Sequence, residues 1–351
     1  MKPICFYHKA DLDGVCSGAI VKHFVPDVEL YGFDYGEEFP WALVLPLERR
    51  APISDVIDAD KIDRRTVYMV DVSLPPEDMR RLAEVSNLVF IDHHMTALFE
   101  ATVSKLGFAI AGLRDIRWSA CELAWKYFSN LDRINAASTP DAFLEASFDA
   151  LHSDVPEAVR LLGRYDVWDK DHPEWESKIL PFQYAIRAEE GIYDPKCLRW
   201  RFLFGVDGYS QPMSNYIEAP WLDHAIERGA AILRYQAEVN RRACETGAHE
   251  IVIKTPATAQ ETGGVTGVLR WWPAIACNTI VFNSQFFEGF FDPEKHDVMC
   301  AYAQMSDGRW KVSLYSTKPD IDCGVICKTF GGGGHKQAAG FICDKLPWEK
   351  Q

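Results

Sequence analysis

The chain has 351 residues, 48% of them hydrophobic and 25% charged, which is the balance of an ordinary globular protein with room for two domains. Its net charge of −14 disfavours binding to a long phosphate backbone, although it allows a short nucleotide. It contains no apolar stretch of about 18 residues, so we expect no membrane-spanning helix.

The expected location is the cytoplasm. The N-terminus MKPICFYHKA lacks the basic and apolar regions of a signal peptide. The ten cysteines are scattered, and Cys323 and Cys327 do not have the spacing of a zinc ribbon or redox pair. We therefore expect reduced thiols and no membrane partner.

Short apolar runs alternate with helical patterns over the first hundred residues. Strands are predicted at 3–8, 28–35, 66–73 and 87–94, and helices at 14–24 and 75–86. This alternation predicts a doubly wound parallel sheet of the α/β class. In such sheets ligands collect beyond the carboxyl ends of the strands.

The middle of the chain is predicted to be helical, and the last hundred residues return to strands. The predicted helices are 119–128, with a capping box of Ser119 and Glu122, then 138–152, 155–170 and 220–247. Further short helices are predicted at 323–329 and 336–341. We thus predict a catalytic domain at 1–200, a helical connector at 201–248 and a smaller α+β domain at 249–351.

Several residues of the kinds that bind metal ions, aspartates and histidines, lie at or directly after the ends of the predicted strands. They are His8, Asp11 and Asp13 after the first, Asp71 after the third, and Asp92, His93 and His94 after the fourth. Taken singly, each has an ordinary structural explanation, such as a turn or a helix N-cap. Their shared position at one sheet edge instead predicts a metal site, which GRYDVWDK completes with Asp166 or Asp169.

Mixed carboxylate and imidazole ligands favour Mn²⁺ or a related transition metal over Ca²⁺. Two such cations about 3.5–4 Å apart activate a water molecule for attack at phosphorus. The sequence therefore predicts a site for two divalent cations, with phosphoester hydrolysis as its chemistry.

A second signal is the glycine run in FGGGGHKQAAGF, residues 330–341. Four consecutive glycines carry an entropic cost on folding. They form either a flexible loop or a backbone that approaches a phosphate closely and donates its N–H groups. His335 and Lys336, which follow directly, favour an anionic ligand.

These motifs resemble those of DHH-family phosphoesterases. HKADLDGVCSGAI, VDVS, IDHH and GRYDVWD are similar to the four N-terminal motifs, and FGGGGHKQAAGF to the signature of the DHH-associated C-terminal domain. The resemblance spans most of the chain and is weakest over 171–248. It implies a parallel-sheet domain that binds two Mn²⁺ ions, and a substrate-binding domain.

The resemblance also implies a role for each matched residue. The implied metal ligands are His8, Asp11, Asp13, Asp71, His93 and Asp166, with Asp71 bridging. Asp71, Asp92 and His94 are the implied catalytic residues, with His94 on the substrate phosphate and Asp92 orienting the histidines. Gly332, Gly333, Gly334 and His335 would hold the nucleotide.

One position departs from the family. Many relatives have arginine where SLYS places Tyr315. A tyrosine can stack on a base but cannot clamp a phosphate with two parallel hydrogen bonds.

Among the family's substrates, we expect short oligoribonucleotides, especially linear diribonucleotides such as pGpG or pApA, hydrolysed to mononucleotides. Cyclic dinucleotides and 3′-phosphoadenosine nucleotides are the alternatives, and a non-catalytic nucleotide sensor is an alternative of another class. Long nucleic acid is not an expected partner. A homodimer is compatible with the sequence.

Overall fold

Alternating strands and helices at the start of the chain fold into one parallel sheet. The structure is a computed structural model that describes residues 1–45, 64–94, 110–132, 155–205, 218–257, 267–280, 284–334 and 336–348. The chain forms two units, Met1–Ile232 and Leu233–Gln351. The predicted domain boundaries stay predictions.

Among its described residues, the first unit contains four strands and six α-helices that lie wholly within it, besides a 3₁₀ turn at Trp41–Leu43 and a π-helix at Trp175–Ile179. The strands are β1 (Ile4–His8), β2 (Glu29–Phe33), β3 (Thr66–Val70) and β4 (Asn87–Ile91). The helices are α1 (Leu12–Phe24), α2 (Pro76–Val85), α3 (Ala120–Ser129), α4 (Glu157–Asp166), α5 (Leu180–Arg187) and α6 (Arg199–Leu203). The strand order is β2-β1-β3-β4, and all pairs are parallel.

Strand β1 is buried on both faces of the sheet, as strands of parallel sheets usually are, whereas the edge strand β2 is partly exposed. The core side chains Phe6, Met69 and Phe90 come from the three adjacent strands β1, β3 and β4 and are almost completely buried. The predicted capping box forms at the start of α3, where Ser119 and Glu122 bond reciprocally. The predicted helix 138–152 lies outside the described residues.

The long predicted connector is a 30-residue helix, α7 (Glu218–Gly247). The division between the two units falls within it. Within the described ranges, no helix is long and apolar enough to cross a membrane.

The second unit is built on a mixed six-stranded sheet, in agreement with the predicted α+β class. Its strands are β5 (His249–Pro256), β6 (Leu269–Asn278), β7 (Val298–Gln304), β8 (Trp310–Tyr315), β9 (Gly333–Gly334) and β10 (Ala338–Cys343), and α8 (Cys323–Lys328) packs on them. The order is β5-β6-β7-β8-β10-β9, with β6 and β7 parallel.

The predicted helix at 336–341 is wrong, because this segment enters strand β10. Ala338 and Ala339 have high helix propensity, which favoured the helical interpretation. The segment instead pairs with β8 over six residues, from Ala338 opposite Tyr315 to Cys343 opposite Trp310. Long-range strand pairing thus overrides the local preference.

Candidate functional site

Three neighbouring strands of the first sheet end at ligand-type side chains. β1 ends at His8, β3 is followed by Asp71, and β4 is followed by Asp92, His93 and His94. Because the three strands are adjacent and parallel, these residues lie at the same edge of the sheet. This is the placement predicted from the sequence.

The backbone of Asp71 adopts a left-handed conformation, with φ of 59°. Such a conformation costs a non-glycine residue about 1–2 kcal/mol. The sheet helps to hold it, since the Asp71 amide donates a hydrogen bond to the Ile91 carbonyl at 3.0 Å. Strained residues of this kind are concentrated at functional sites.

One group of potential ligand atoms is formed by His8, Asp11 and Asp71. His8 Nδ1 lies 2.9 Å from Asp11 Oδ2 and 3.5 Å from Asp71 Oδ2. The other oxygen of Asp11 caps α1 by accepting from the Gly14 amide. A Cβ at Gly14 would lie 2.2 Å from the His8 carbonyl oxygen, so glycine is required for this close approach.

A second group is formed by Asp13, His93 and Asp166. His93 Nε2 lies 3.3 Å from Asp166 Oδ2 and 3.8 Å from Asp13 Oδ2. It also lies 3.3 Å from Asp71 Oδ1. Asp71 therefore directs one oxygen towards each group, which is the arrangement of a bridging carboxylate.

The structure separates the two aspartates between which the sequence pattern did not choose. Asp166, the last residue of α4, lies in the second group. Asp169 Oδ2 instead lies 3.6 Å from Arg164 Nη1. Asp166 is thus the aspartate that the fold brings to the candidate site.

The site concentrates buried negative charge. Burial, together with the nearby Asp71 carboxylate, raises the pKa of Asp13 to about 7. Burial and the charge of Asp13 raise the pKa of Asp166 well above its usual range. Burial opposes ionisation of Asp71 as well, but the adjacent imidazoles of His8 and His93 hold its pKa below the ordinary value.

The two histidines balance that charge. Burial alone would lower the pKa of each imidazole, but for His8 the adjacent carboxylates of Asp11 and Asp71 outweigh burial and raise the pKa to about 11. For His93, the adjacent Asp71 carboxylate and the charge of Asp166 raise the pKa to about 11. The carboxylates thus demand positive charge, which protons or bound cations can supply.

The donor set fits divalent cations. Among the described residues, His8 Nδ1 and Asp71 Oδ1 are buried without a hydrogen-bond partner of acceptable geometry, although oppositely charged groups surround them. Buried polar atoms of this kind are uncommon and need an explanation. Oxygen and imidazole nitrogen ligands together suit a transition metal.

Asp92 organises the histidine pair. It is fully buried, and its Oδ1 accepts hydrogen bonds from the backbone amides of His93 and His94 at 2.7 and 3.0 Å. The same oxygen lies 2.7 Å from His94 Nδ1. The His94 ring is therefore oriented by Asp92 through one nitrogen, with its side chain 18% exposed.

Two residues that were not predicted from the sequence, Asp34 and Tyr35, follow β2 at the same sheet edge. Asp34 Oδ1 lies 3.2 Å from His8 Nε2, the ring nitrogen opposite the one that faces Asp11. The Tyr35 ring lies edge-on to His8, with 5.6 Å between ring centroids, and is half exposed. The rule that identified the other strand ends would also have identified these residues.

In the second unit, the glycine run 331–334, which we call the glycine turn, follows α8 and ends as the short strand β9, which pairs with β10. A Cβ at Gly332 would lie 2.1 Å from the Gly340 carbonyl oxygen, and one at Gly334 would lie 2.6 Å from the Ala339 Cα. A Cβ at Gly333 would meet nothing within 4 Å. Close packing therefore explains why positions 332 and 334 are glycine, but it does not explain the glycine at position 333. His335 lies outside the described residues.

Tyr315 ends the interior strand β8, between Met299 of β7 and Ala338 of β10. Its side chain is partly buried and packs against a cluster that includes Phe287 and Met299. The position is thus part of the sheet that carries the glycine turn.

No protein-family model matches the chain. It is similar to the uncharacterized protein R106 of Acanthamoeba polyphaga mimivirus, with 22% identity over 357 residues that cover 99% of this chain and 70% of that protein. Among solved structures, it is similar to the DHH domain of a member of the s1p family of ribosomal proteins. The TM-score is 0.48 at 14% identity, and the match covers 97% of this chain and 82% of that one.

The chain is also similar to a pGpG-specific phosphodiesterase from Vibrio cholerae, with a TM-score of 0.36 at 12% identity. That match covers 97% of this chain and 92% of the other. All of these similarities are distant. A DHH domain and a pGpG-specific phosphodiesterase are thus among the proteins that this chain resembles.

Proposed function

We propose that this protein is a DHH-family phosphodiesterase that uses two divalent cations, with Mn²⁺ as the working ion. Its proposed substrates are short oligoribonucleotides, especially linear diribonucleotides, and its products are mononucleotides. The observation that carries the proposal is the pair of carboxylate–histidine groups with Asp71 between them, one of its oxygens near His8 and the other near His93. Two adjacent cation positions suit the hydrolysis of a phosphoester bond.

The ligands divide into two sets. His8, Asp11 and Asp71 would hold one cation, and Asp13, Asp71, His93 and Asp166 would hold the other. When bound, such cations supply an activated water molecule and neutralise the charge that develops on the phosphoryl oxygens. His8 and His93 would be neutral as ligands of these cations, because imidazole binds metals only in its neutral form.

His94 is the proposed contact to the substrate phosphate. Asp92 fixes the orientation of its ring through Nδ1, so that the opposite nitrogen has a defined direction. A fixed donor costs little reorganisation when charge develops on a phosphoryl oxygen. Asp92 therefore acts through His94 as a positioning residue.

A short substrate fits the charge of the chain. The net charge of −14 opposes the long basic track that extended nucleic acid requires. The position of Gly333, which no packing contact explains, supports close approach of a ligand to the glycine turn. Gly332 and Gly334 would shape this turn, and His335 would contact the same nucleotide.

The proposal is tested with chelator-treated protein, Mn²⁺ and a linear diribonucleotide, with mononucleotides measured by chromatography. We expect turnover by the wild type and a loss of roughly 10⁴-fold or more in Asp71→Asn, the order seen when one member of a catalytic unit is removed. Asp27→Asn, a matched change at an exposed surface aspartate, should retain wild-type turnover.

The same assay separates the alternatives. Turnover of a cyclic dinucleotide or phosphate release from a 3′-phosphoadenosine nucleotide, without cleavage of linear diribonucleotides, would replace the proposed substrate. Binding of a dinucleotide without turnover of any substrate in the panel would favour a nucleotide sensor and refute the enzymatic proposal.

A further inference from the structure

An ion pair between the buried Glu122 and the partly buried Arg164 joins helices α3 and α4 next to the candidate site. The carboxylate of Glu122, which is 1% exposed, accepts a hydrogen bond from the Arg164 guanidinium. Arg164 also donates to the Arg117 carbonyl at 3.1 Å, and its guanidinium lies 4.8 Å from the centre of the Trp118 ring. The Arg164 guanidinium is therefore held in place by a carboxylate, a backbone carbonyl and an aromatic ring.

Glu122 shapes the first turn of α3, and that turn holds Asp13. The Ser119 amide donates to Glu122 Oε2 at 3.2 Å, which closes the capping box. The next two amides, of Ala120 and Cys121, donate to the two carboxylate oxygens of Asp13 at 2.8 and 2.9 Å. The orientation of Asp13 thus depends on the conformation of this turn.

Arg164 lies on α4, two residues before Asp166. Its neighbour Gly163 brings α4 against the start of α3, where a Cβ would lie 2.5 Å from both Ser119 Oγ and Glu122 Oε2. The ion pair therefore links the turn that holds Asp13 to the helix that carries Asp166. His93 lies between these two carboxylates.

We propose that Glu122 and Arg164 are positioning residues that set the distance between Asp13 and Asp166 and thereby the cation affinity of the Asp13–His93–Asp166 group. A buried ion pair is by itself weak support for stability, since apolar replacements are often neutral. Positioning of the metal ligands Asp13 and Asp166 explains the Glu122–Arg164 pair better than a contribution to stability does. The proposal rests on the cation site of the proposed function but not on its substrate.

The test is Mn²⁺ binding to chelator-treated protein, measured from the electron paramagnetic resonance signal of the free ion. We expect two sites in the wild type. In Arg164→Met, one site should weaken by about 10- to 100-fold, the usual effect of losing a residue that orients metal ligands. The other site should stay within about threefold, because His8, Asp11 and Asp71 do not contact the ion pair.

Two further variants separate positioning from a general loss of charge. Arg160→Met is the matched control, because Arg160 lies one turn earlier on α4 and pairs with Glu157 and Glu174. It should bind both ions as the wild type does. Arg164→Lys should recover part of the lost affinity, since lysine restores the charge but not the planar guanidinium.

Glu122→Gln covers the case in which Arg164→Met unfolds. Glutamine can retain the capping box while removing the charge of the pair. We expect a folded protein with a lower thermal midpoint, because Arg164 keeps its charge without its partner, and the same weakening of one Mn²⁺ site.

Two wild-type Mn²⁺ affinities in a folded Glu122→Gln or Arg164→Met variant would overturn the positioning role. Two Mn²⁺ sites in the wild type without nucleotide hydrolysis would refute the proposed function alone, and this inference would stand. A wild type that binds no Mn²⁺ would overturn both.

Discussion

The glycine turn of the second unit offers a matched pair of substitutions, Gly332→Ala and Gly333→Ala. At Gly332, the added Cβ would lie 2.1 Å from a backbone oxygen and 2.5 Å from the Phe341 Cβ. Neither contact can be relieved by turning a flexible side chain. We therefore expect Gly332→Ala to lower the free energy of unfolding by about 3 kcal/mol, the upper end of the range for overpacked sites.

At Gly333 the added methyl group would meet nothing within 4 Å. Alanine there should stabilise the protein by about 0.4–1 kcal/mol, because it restricts the unfolded chain. If a nucleotide approaches this backbone, the same methyl group should raise the KM for a linear diribonucleotide about tenfold, which corresponds to 1.4 kcal/mol.

Thermal unfolding and steady-state kinetics measure the two effects. For a unit of this size, 3 kcal/mol corresponds to a fall of roughly 10 °C in the melting temperature of Gly332→Ala. Gly333→Ala should melt at or slightly above the wild-type temperature. A Gly333→Ala protein with wild-type KM would refute the role of Gly333 in binding, and an undiminished melting temperature in Gly332→Ala would refute the packing argument.

Three other predictions follow from the first unit. Asp166→Asn should lose one Mn²⁺ site by calorimetric titration, whereas Asp169→Asn should keep both; the reverse result would reassign the ligand. Asp34→Ala removes the partner of His8 Nε2, so Mn²⁺ affinity should fall about 10- to 100-fold, and an unchanged affinity would contradict this role. Burial lowers the pKa of Lys126 to about 8, from 10.5. The unfolded state therefore binds more protons between these values, and the urea midpoint should rise from pH 8 to pH 10 in the wild type but not in Lys126→Met.

The arrangement of the candidate site could be predicted where one physical rule governs it. His8, Asp71 and His93 follow adjacent parallel strands, and the carboxyl ends of such strands meet at one edge. Asp34 also follows a strand of this sheet. It was not predicted as a site residue because it is a single aspartate without a neighbouring histidine in sequence. The local sequence pattern therefore indicated site residues mainly where several aspartates and histidines are neighbours in sequence.

The choice between Asp166 and Asp169 depended on tertiary packing. Both are compatible with the sequence pattern, and only the path of α4 places one beside His93 and the other beside Arg164. The helix predicted at 336–341 failed for a related reason, because its strand partner β8 precedes it by more than twenty residues. Local propensity carries no information on that partner.

The left-handed backbone conformation of Asp71 implies that selection for stability and selection for catalysis favour different residues at position 71. Glycine would relieve the conformational penalty there, yet it would also remove the carboxylate that directs one oxygen towards each group of potential ligands. A mutant library sorted only for heat resistance should accumulate glycine at this position, whereas one sorted for catalysis should retain aspartate. The aspartate would then persist in evolution because of its chemistry, against the preference of the fold.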